Sequence, residues 1–263
     1  PVSNQGIGCD NVWDGDQAVN SEHYLYYPEG LETEGKLLVF LCGGHGRAAY
    51  CENVFPAAAQ RGYHVIGLTY PANFDTCTPK FSCFGDFMWE NITGGEYSDV
   101  SHMSEHSQDS IVRRLIAVLE WATDQTHNPP GHPGNLGWDR YLTGAPGHHD
   151  VDWTKVNLAG FSNGSSHASR MGMLYPSVGR VALFSGPNDG RDDSATGVWD
   201  PANYLQLVPG LTDQRYYGLV HFRNKATSWD DDILYRLTNS WNILGMGNPP
   251  NVPTENFVRH PGD

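Results

Sequence analysis

Short apolar runs alternate along the chain with segments of helical period, and the order of these runs predicts the fold. Leu37-Leu38-Val39-Phe40-Leu41 is an apolar run of strand length, as is most of His64-Val65-Ile66-Gly67-Leu68-Thr69-Tyr70. Further strands are expected at Tyr24-Leu25-Tyr26-Tyr27, at 155–159, at 180–185 and at 215–221. Between them, Ala57-Ala58-Ala59-Gln60 and residues 165–175 read as helical. Residues 110–121 carry apolar positions at helical spacing, with Asp109 and Ser110 placed to cap the N-terminus. A last helix is expected over 232–244, stopped by Gly245 and Gly247. Strands alternating with helices in this way predict an α/β protein: a mostly parallel central sheet with helices on both faces.

Two stretches break the alternation. Residues 71–108 are polar and aromatic, containing Phe74, Phe84, Phe87, Met88 and Trp89 together with Cys77 and Cys83. A loop of this length inside a compact domain is usually functional or disordered, and its aromatic content favours a wall of a binding site. Residues 126–152 are rich in Pro, Gly and His and end in Gly147-His148-His149-Asp150. Adjacent histidines on a loop seldom converge on one ion, so this cluster reads as solvated and no catalytic metal is expected.

Composition narrows the picture without changing it. With 263 residues and no linker-like segment, the chain is read as a single domain over 1–263, the stretch at about 71–108 being an insertion. A formal net charge of −14 without any Lys/Arg cluster argues against nucleic acid and anionic membrane surfaces as partners. No apolar stretch has the length of a membrane span, so a soluble protein is expected. The chain begins at Pro1 without Met or an apolar leader, which reads as a mature or trimmed form. Five cysteines leave at least one unpaired within the chain, and Cys77/Cys83, bracketing a short loop, are the expected bridge. That bridge and the low Lys content point to a secreted or periplasmic setting. Oligomeric state is not legible.

The chemistry is carried by Gly160-Phe161-Ser162-Asn163-Gly164, between an expected strand and an expected helix. Small residues on both sides let the backbone turn sharply and hold Ser162 in a strained conformation, its hydroxyl projecting above the sheet edge. This is the pattern of a nucleophile elbow. Upstream, Cys42-Gly43-Gly44-His45-Gly46-Arg47 follows the strand 37–41 at once. An oxyanion donor must be a backbone N–H at a strand end, unobstructed by side chains, and glycines meet that need.

Strand, glycine loop, helix, strand, long insertion, helix and G-x-S-x-G elbow in this order resemble the α/β-hydrolase superfamily over nearly the whole chain, most specifically over 156–189, and within it an extracellular bacterial esterase and lipase-like branch. The resemblance implies Ser162 as nucleophile, with the N–H groups of Asn163 and Gly44 as oxyanion donors. It implies Asp189 as the acid, with Asp230, Asp231 and Asp232 as the alternative, although helix capping also accounts for that triplet. As the base it implies His260, or a histidine beyond Asp263, with His221 and His167 as substitutes that otherwise read as satisfied polar groups near the core. The implied activity is hydrolysis of carboxylic esters through an acyl-enzyme on Ser162, without a cofactor. The aromatic insertion and the loop holding Trp199 suit an apolar or aryl ester, small or polymeric. The competing expectation is a hydrolase-like binding protein without catalysis.

Overall fold

The computed structural model describes residues 2–3, 12–14, 17–19, 22–28, 35–43, 46–71, 84–95, 109–128, 136–187, 190–193, 198–201, 215–219 and 240–241. Seven strands build the central sheet: β1 (Val2–Ser3), β2 (Glu22–Tyr26), β3 (Leu37–Leu41), β4 (His64–Leu68), β5 (Val156–Phe161), β6 (Val181–Phe184) and β7 (Tyr216–Leu219). Their order across the sheet is β1-β2-β4-β3-β5-β6-β7. The pairs β1/β2 and β2/β4 are antiparallel, and every pair from β4 to β7 is parallel. This is the α/β architecture expected from the alternation of apolar runs.

The inner parallel strands β3, β4 and β5 are covered on both faces by helices and a 3-10 segment, whereas β7 at the edge leaves Tyr217 and Leu219 exposed. One face carries Val39, Leu41, Ile66, Leu68, Leu158 and Leu183, packed with residues of α3 (Ile111–Thr123) and α4 (Asn163–Leu174). The other carries Phe40, Val65 and Ala159 against Ala48 and Cys51 of the 3-10 segment Ala48–Val54 and Phe55 of α1 (Phe55–Ala59). Phe55 explains a glycine in the middle of β4. A β-carbon on Gly67 would fall 2.3 Å from the Phe55 ring, so the ring occupies the space a side chain would need.

α3 starts where its cap predicts. The Ser110 hydroxyl accepts from the Arg113 N–H at 3.4 Å. Asp109 has a different task from the capping role expected of it: its carboxylate and carbonyl both accept from the buried Arg114 guanidinium, each at 2.8 Å.

Part of the insertion departs from its expected loop character. Residues 84–93 form a helix, α2 (Phe84–Thr93), with Met88, Asn91 and Ile92 fully buried and Phe87 nearly so. The apolar positions 84, 87, 88 and 92 have helical spacing in the sequence, and the burial of Phe87, Met88 and Ile92 against the α3 and α4 side of the sheet outweighs the polar flanks. Residues 190–193 and 198–201 pair as a two-stranded ribbon with Asp192 opposite Trp199, so Trp199 lies on a strand and not in a loop. The end of the long His-rich stretch also forms a ribbon, Leu142–Thr143 with Asp150–Val151, where His149 Nδ1 lies 2.7 Å from Glu120 Oε1. Of the helix expected over 232–244, only residues 240–241 are described, and they are helical.

Candidate active site

The sheet order creates a place for chemistry before any side chain is considered. From β3 the chain moves to β4 on one side, whereas β5 lies on the other side of β3. The connections leaving β3 and β5 therefore run over opposite faces, and a crevice opens between the carboxyl ends of these two strands. Gly43 follows β3 and Ser162 follows β5, so both stand at this switch point.

Ser162 occupies the turn between β5 and α4 with φ 53° and ψ −120°, a conformation disfavoured for any residue with a β-carbon. Its strain is held by contacts on every side. A β-carbon on Gly160 would lie 2.1 Å from the Gly164 carbonyl oxygen, and one on Gly164 would lie 1.9 Å from the Leu41 oxygen. Only glycine at both places lets β5, α4 and the end of β3 approach this closely. The Ser162 N–H donates to the Phe184 carbonyl at 2.8 Å. The Ser165 hydroxyl lies 2.7 Å from the Gly160 carbonyl and 2.9 Å from that of Phe184, pinning α4 to the ends of β5 and β6.

Asn163 is the first residue of α4, so its N–H falls in the first turn, where the helix backbone supplies no acceptor. Across the crevice, a β-carbon on Gly43 would lie 2.7 Å from both the Phe161 carbonyl oxygen and Ser162 Cβ. The loop after β3 thus rests directly on the elbow. Gly46 N–H donates to the Gly43 carbonyl at 3.3 Å, and the Gly46 carbonyl accepts from Tyr70 N–H at 3.1 Å. Cys42 and Cys51 form a disulfide that closes this loop, with their Cα atoms 6.0 Å apart. The expected Cys77/Cys83 bridge lies outside the described residues.

On the third side, Ser185 follows β6 with φ 51° and donates its N–H to the Leu219 carbonyl at 2.8 Å. Gly186 packs on the elbow, since a β-carbon there would fall 2.5 Å from the Ser162 carbonyl oxygen. The Trp241 indole N–H donates to the Gly186 carbonyl at 2.8 Å.

Of the residues singled out from the sequence, Ser162 and Asn163 are described and adjoin. Gly44, Asp189, His260, His221 and Asp230 to Asp232 lie outside the described residues. His167 is described, and it is not placed as a base for Ser162. It is fully buried on α4, and burial pushes its pKa down to about 4. Its Nδ1 lies 3.1 Å from the Asn163 carbonyl and its Nε2 lies 2.9 Å from Asn91 Nδ2, so both ring nitrogens have partners within the core. Gly43 entered the sequence reading only as part of the glycine loop, and Tyr70, Asn91 and the Cys42–Cys51 bridge, also neighbours of the site, were not singled out. The only advance signals were the glycine pair itself and the helical spacing within 84–93.

Among the described residues no group of His, Cys, Asp or Glu is arranged to hold a metal ion, and no helix is long and apolar enough to cross a membrane.

No family model matches the chain, and no curated protein matches it. Solved structures do. A putative dienelactone hydrolase from Klebsiella pneumoniae is 13% identical over 87% of this chain and 77% of its own, with a TM-score of 0.41. A ferulic acid-bound protein, Est1E from Butyrivibrio proteoclasticus, is 14% identical over 89% of this chain and 84% of its own, with a TM-score of 0.36. A thermophilic esterase from Thermogutta terrifontis, bound to propionate, is 15% identical over 68% of this chain, with a TM-score of 0.32, and this chain spans 55% of its length.

Proposed function

We propose that the protein is a serine hydrolase that cleaves carboxylic esters through an acyl-enzyme on Ser162. The observation that carries the reading is Ser162 itself, held at φ 53° at the topological switch point between a glycine loop and the first turn of α4. Backbone strain of this kind costs on the order of 1–3 kcal/mol and persists where the surroundings over-determine it, which is a mark of functional sites.

The chemistry follows from the surroundings. Ser162 Oγ attacks the ester carbonyl while a histidine accepts its proton. The carbonyl oxygen becomes an oxyanion, stabilised by the N–H of Asn163 from one side and that of Gly44 from the other. The histidine then protonates the departing alkoxide, and water attacks the acyl-serine by the same route. His260 is the proposed base and Asp189 the proposed acid. Asp189 follows Gly186 by three residues, so extended chain carries it at most about 10 Å from a glycine already packed on the elbow. The aromatic residues Phe74, Phe81 and Phe84 of the insertion and the Phe161 side chain, 44% exposed beside the nucleophile, support an apolar or aryl ester as substrate. The disulfide supports a secreted or periplasmic setting, where such bonds persist.

The test is labelling with a fluorophosphonate followed by peptide mapping. The expected result is one adduct on Ser162, absent from Ser162→Ala, together with hydrolysis of p-nitrophenyl esters. A folded protein that takes up no label and cleaves no ester overturns the reading.

A further inference from the structure

We infer that Tyr70, His167 and Asn91 form a buried brace that positions both oxyanion donors and ties them to the insertion helix α2; the inference rests on the hydrolase reading of Ser162. All three are fully buried.

Tyr70 follows β4 and reaches under the glycine loop. Its hydroxyl donates to the Cys42 carbonyl at 2.6 Å, while its N–H donates to the Gly46 carbonyl. The same residue therefore holds the loop on both sides of Gly43 and Gly44. Its ring meets the His167 ring edge-on, with centroids 4.9 Å apart. His167 in turn contacts the carbonyl of Asn163, the residue whose N–H is the other donor.

The proton positions follow from the partners. The Asn91 amide nitrogen lies 2.6 Å from the Pro71 carbonyl, which only accepts, so that end of the amide is the donor end. It also faces His167 Nε2, which must then accept, leaving the proton on Nδ1 to be donated to the Asn163 carbonyl. Asn91 thus fixes the tautomer that lets His167 hold the first turn of α4. Asn91 Oδ1 is buried and finds no hydrogen-bond partner among the described residues. An unsatisfied buried oxygen is costly, and an apolar side chain would fill the place more cheaply. The two donations to Pro71 and His167 are the gain that offsets it.

The brace crosses four pieces of chain: the loop after β3, the end of β4, α2 and α4. It makes Tyr70, His167 and Asn91 positioning residues, acting on oxyanion stabilisation and not on substrate binding.

The test uses the full chain with Tyr70→Phe, which removes one hydroxyl and little volume, and Asn91→Leu. Amide exchange is followed at 43–47 and 162–165 in the resting protein, alongside KM and kcat for p-nitrophenyl acetate and the inhibition constant of phenylboronic acid. Phenylboronic acid forms a tetrahedral adduct on serine that loads the oxyanion donors. The expected result in Tyr70→Phe is faster exchange at 43–47, with kcat about 10-fold lower, the boronate constant about 10-fold higher and KM within about 2-fold, as for one buried hydrogen bond. Asn91→Leu should speed exchange at 162–165 with the same kinetic pattern. Unchanged exchange, or a lowered melting temperature with an unchanged ratio of boronate constant to KM, overturns the brace. A wild-type protein inert to both ester and boronate, with exchange still raised in the variants, defeats the hydrolase reading and leaves the brace standing.

Discussion

Gly43 and Ser162 are so closely apposed that a β-carbon added to Gly43 falls 2.7 Å from Ser162 Cβ, and equally close to the Phe161 carbonyl oxygen. Two backbone segments remote in sequence are thereby held in register at the proposed oxyanion site, and the fit leaves no room for a methyl group. Gly43→Ala must displace the loop or the elbow. Misplacement by about 1 Å costs on the order of 10²-fold in rate. We expect Gly43→Ala to fold, by circular dichroism, and to lose kcat on p-nitrophenyl acetate by about that factor with a smaller change in KM. Wild-type turnover in this variant would remove the loop from the oxyanion site.

The strain at Ser162 should be measurable as stability. Glycine accepts φ 53° without steric cost, whereas alanine retains the β-carbon that makes the conformation unfavourable. Ser162→Gly is expected to unfold at higher urea concentration than Ser162→Ala, by about 1 kcal/mol after allowing for the extra entropy of glycine in the unfolded chain. Both should be inactive. Equal stability of the two variants would mean that the elbow is not held under tension in solution.

Much of this arrangement was readable in advance, and what was hidden has a physical reason. β3, β4, β5 and β6 announce themselves because strands covered on both faces leave short apolar runs. The elbow is readable because a sharp strand-to-helix turn needs small residues at fixed offsets, here Gly160 and Gly164. α2 was hidden by its surroundings: its helical spacing sits inside a polar and aromatic stretch interrupted by Pro79, Gly94 and Gly95, and the tertiary contacts of Met88 and Ile92 settle it. The Cys42–Cys51 pairing was hidden because it depends on how the 3-10 segment folds back on the end of β3, which spacing does not reveal. The expected acid and base, Asp189 and His260, belong to no periodic pattern in the sequence and rest on chain order alone.

The Cys42–Cys51 bridge spans a sequence separation of nine residues and encloses the glycine loop. Closing a loop of this size stabilises by roughly 2–4 kcal/mol in the chain-entropy account. The double variant Cys42→Ala/Cys51→Ala should lose stability of that order in urea unfolding. Non-reducing peptide mapping of the wild type should return Cys42 and Cys51 in one linked species. Recovery of both as free thiols from protein kept under air would contradict the bridge.

The buried histidines predict an acid-sensitive core, with a sign that follows from their environment. Burial holds His167 down at about 4, and burial with the Arg114 charge holds His23 down at about 3, whereas an unfolded histidine titrates near 6.5. Between those limits the unfolded chain binds more protons than the folded one, so stability falls as pH drops below about 6.5 and is unaffected by these groups above it. For His167 the loss is complete near pH 4 and amounts to about 3 kcal/mol. His167→Gln, which cannot take a proton there, should be less stable than wild type at pH 7, because the contacts to Asn163 and Asn91 are altered. Its stability should fall less steeply between pH 6.5 and 4. Urea midpoints at pH 7, 5.5 and 4.5 for both proteins decide the matter: parallel lines would mean that the imidazole between Asn163 and Asn91 is not held neutral, and a shallower line for the variant would mean that it is.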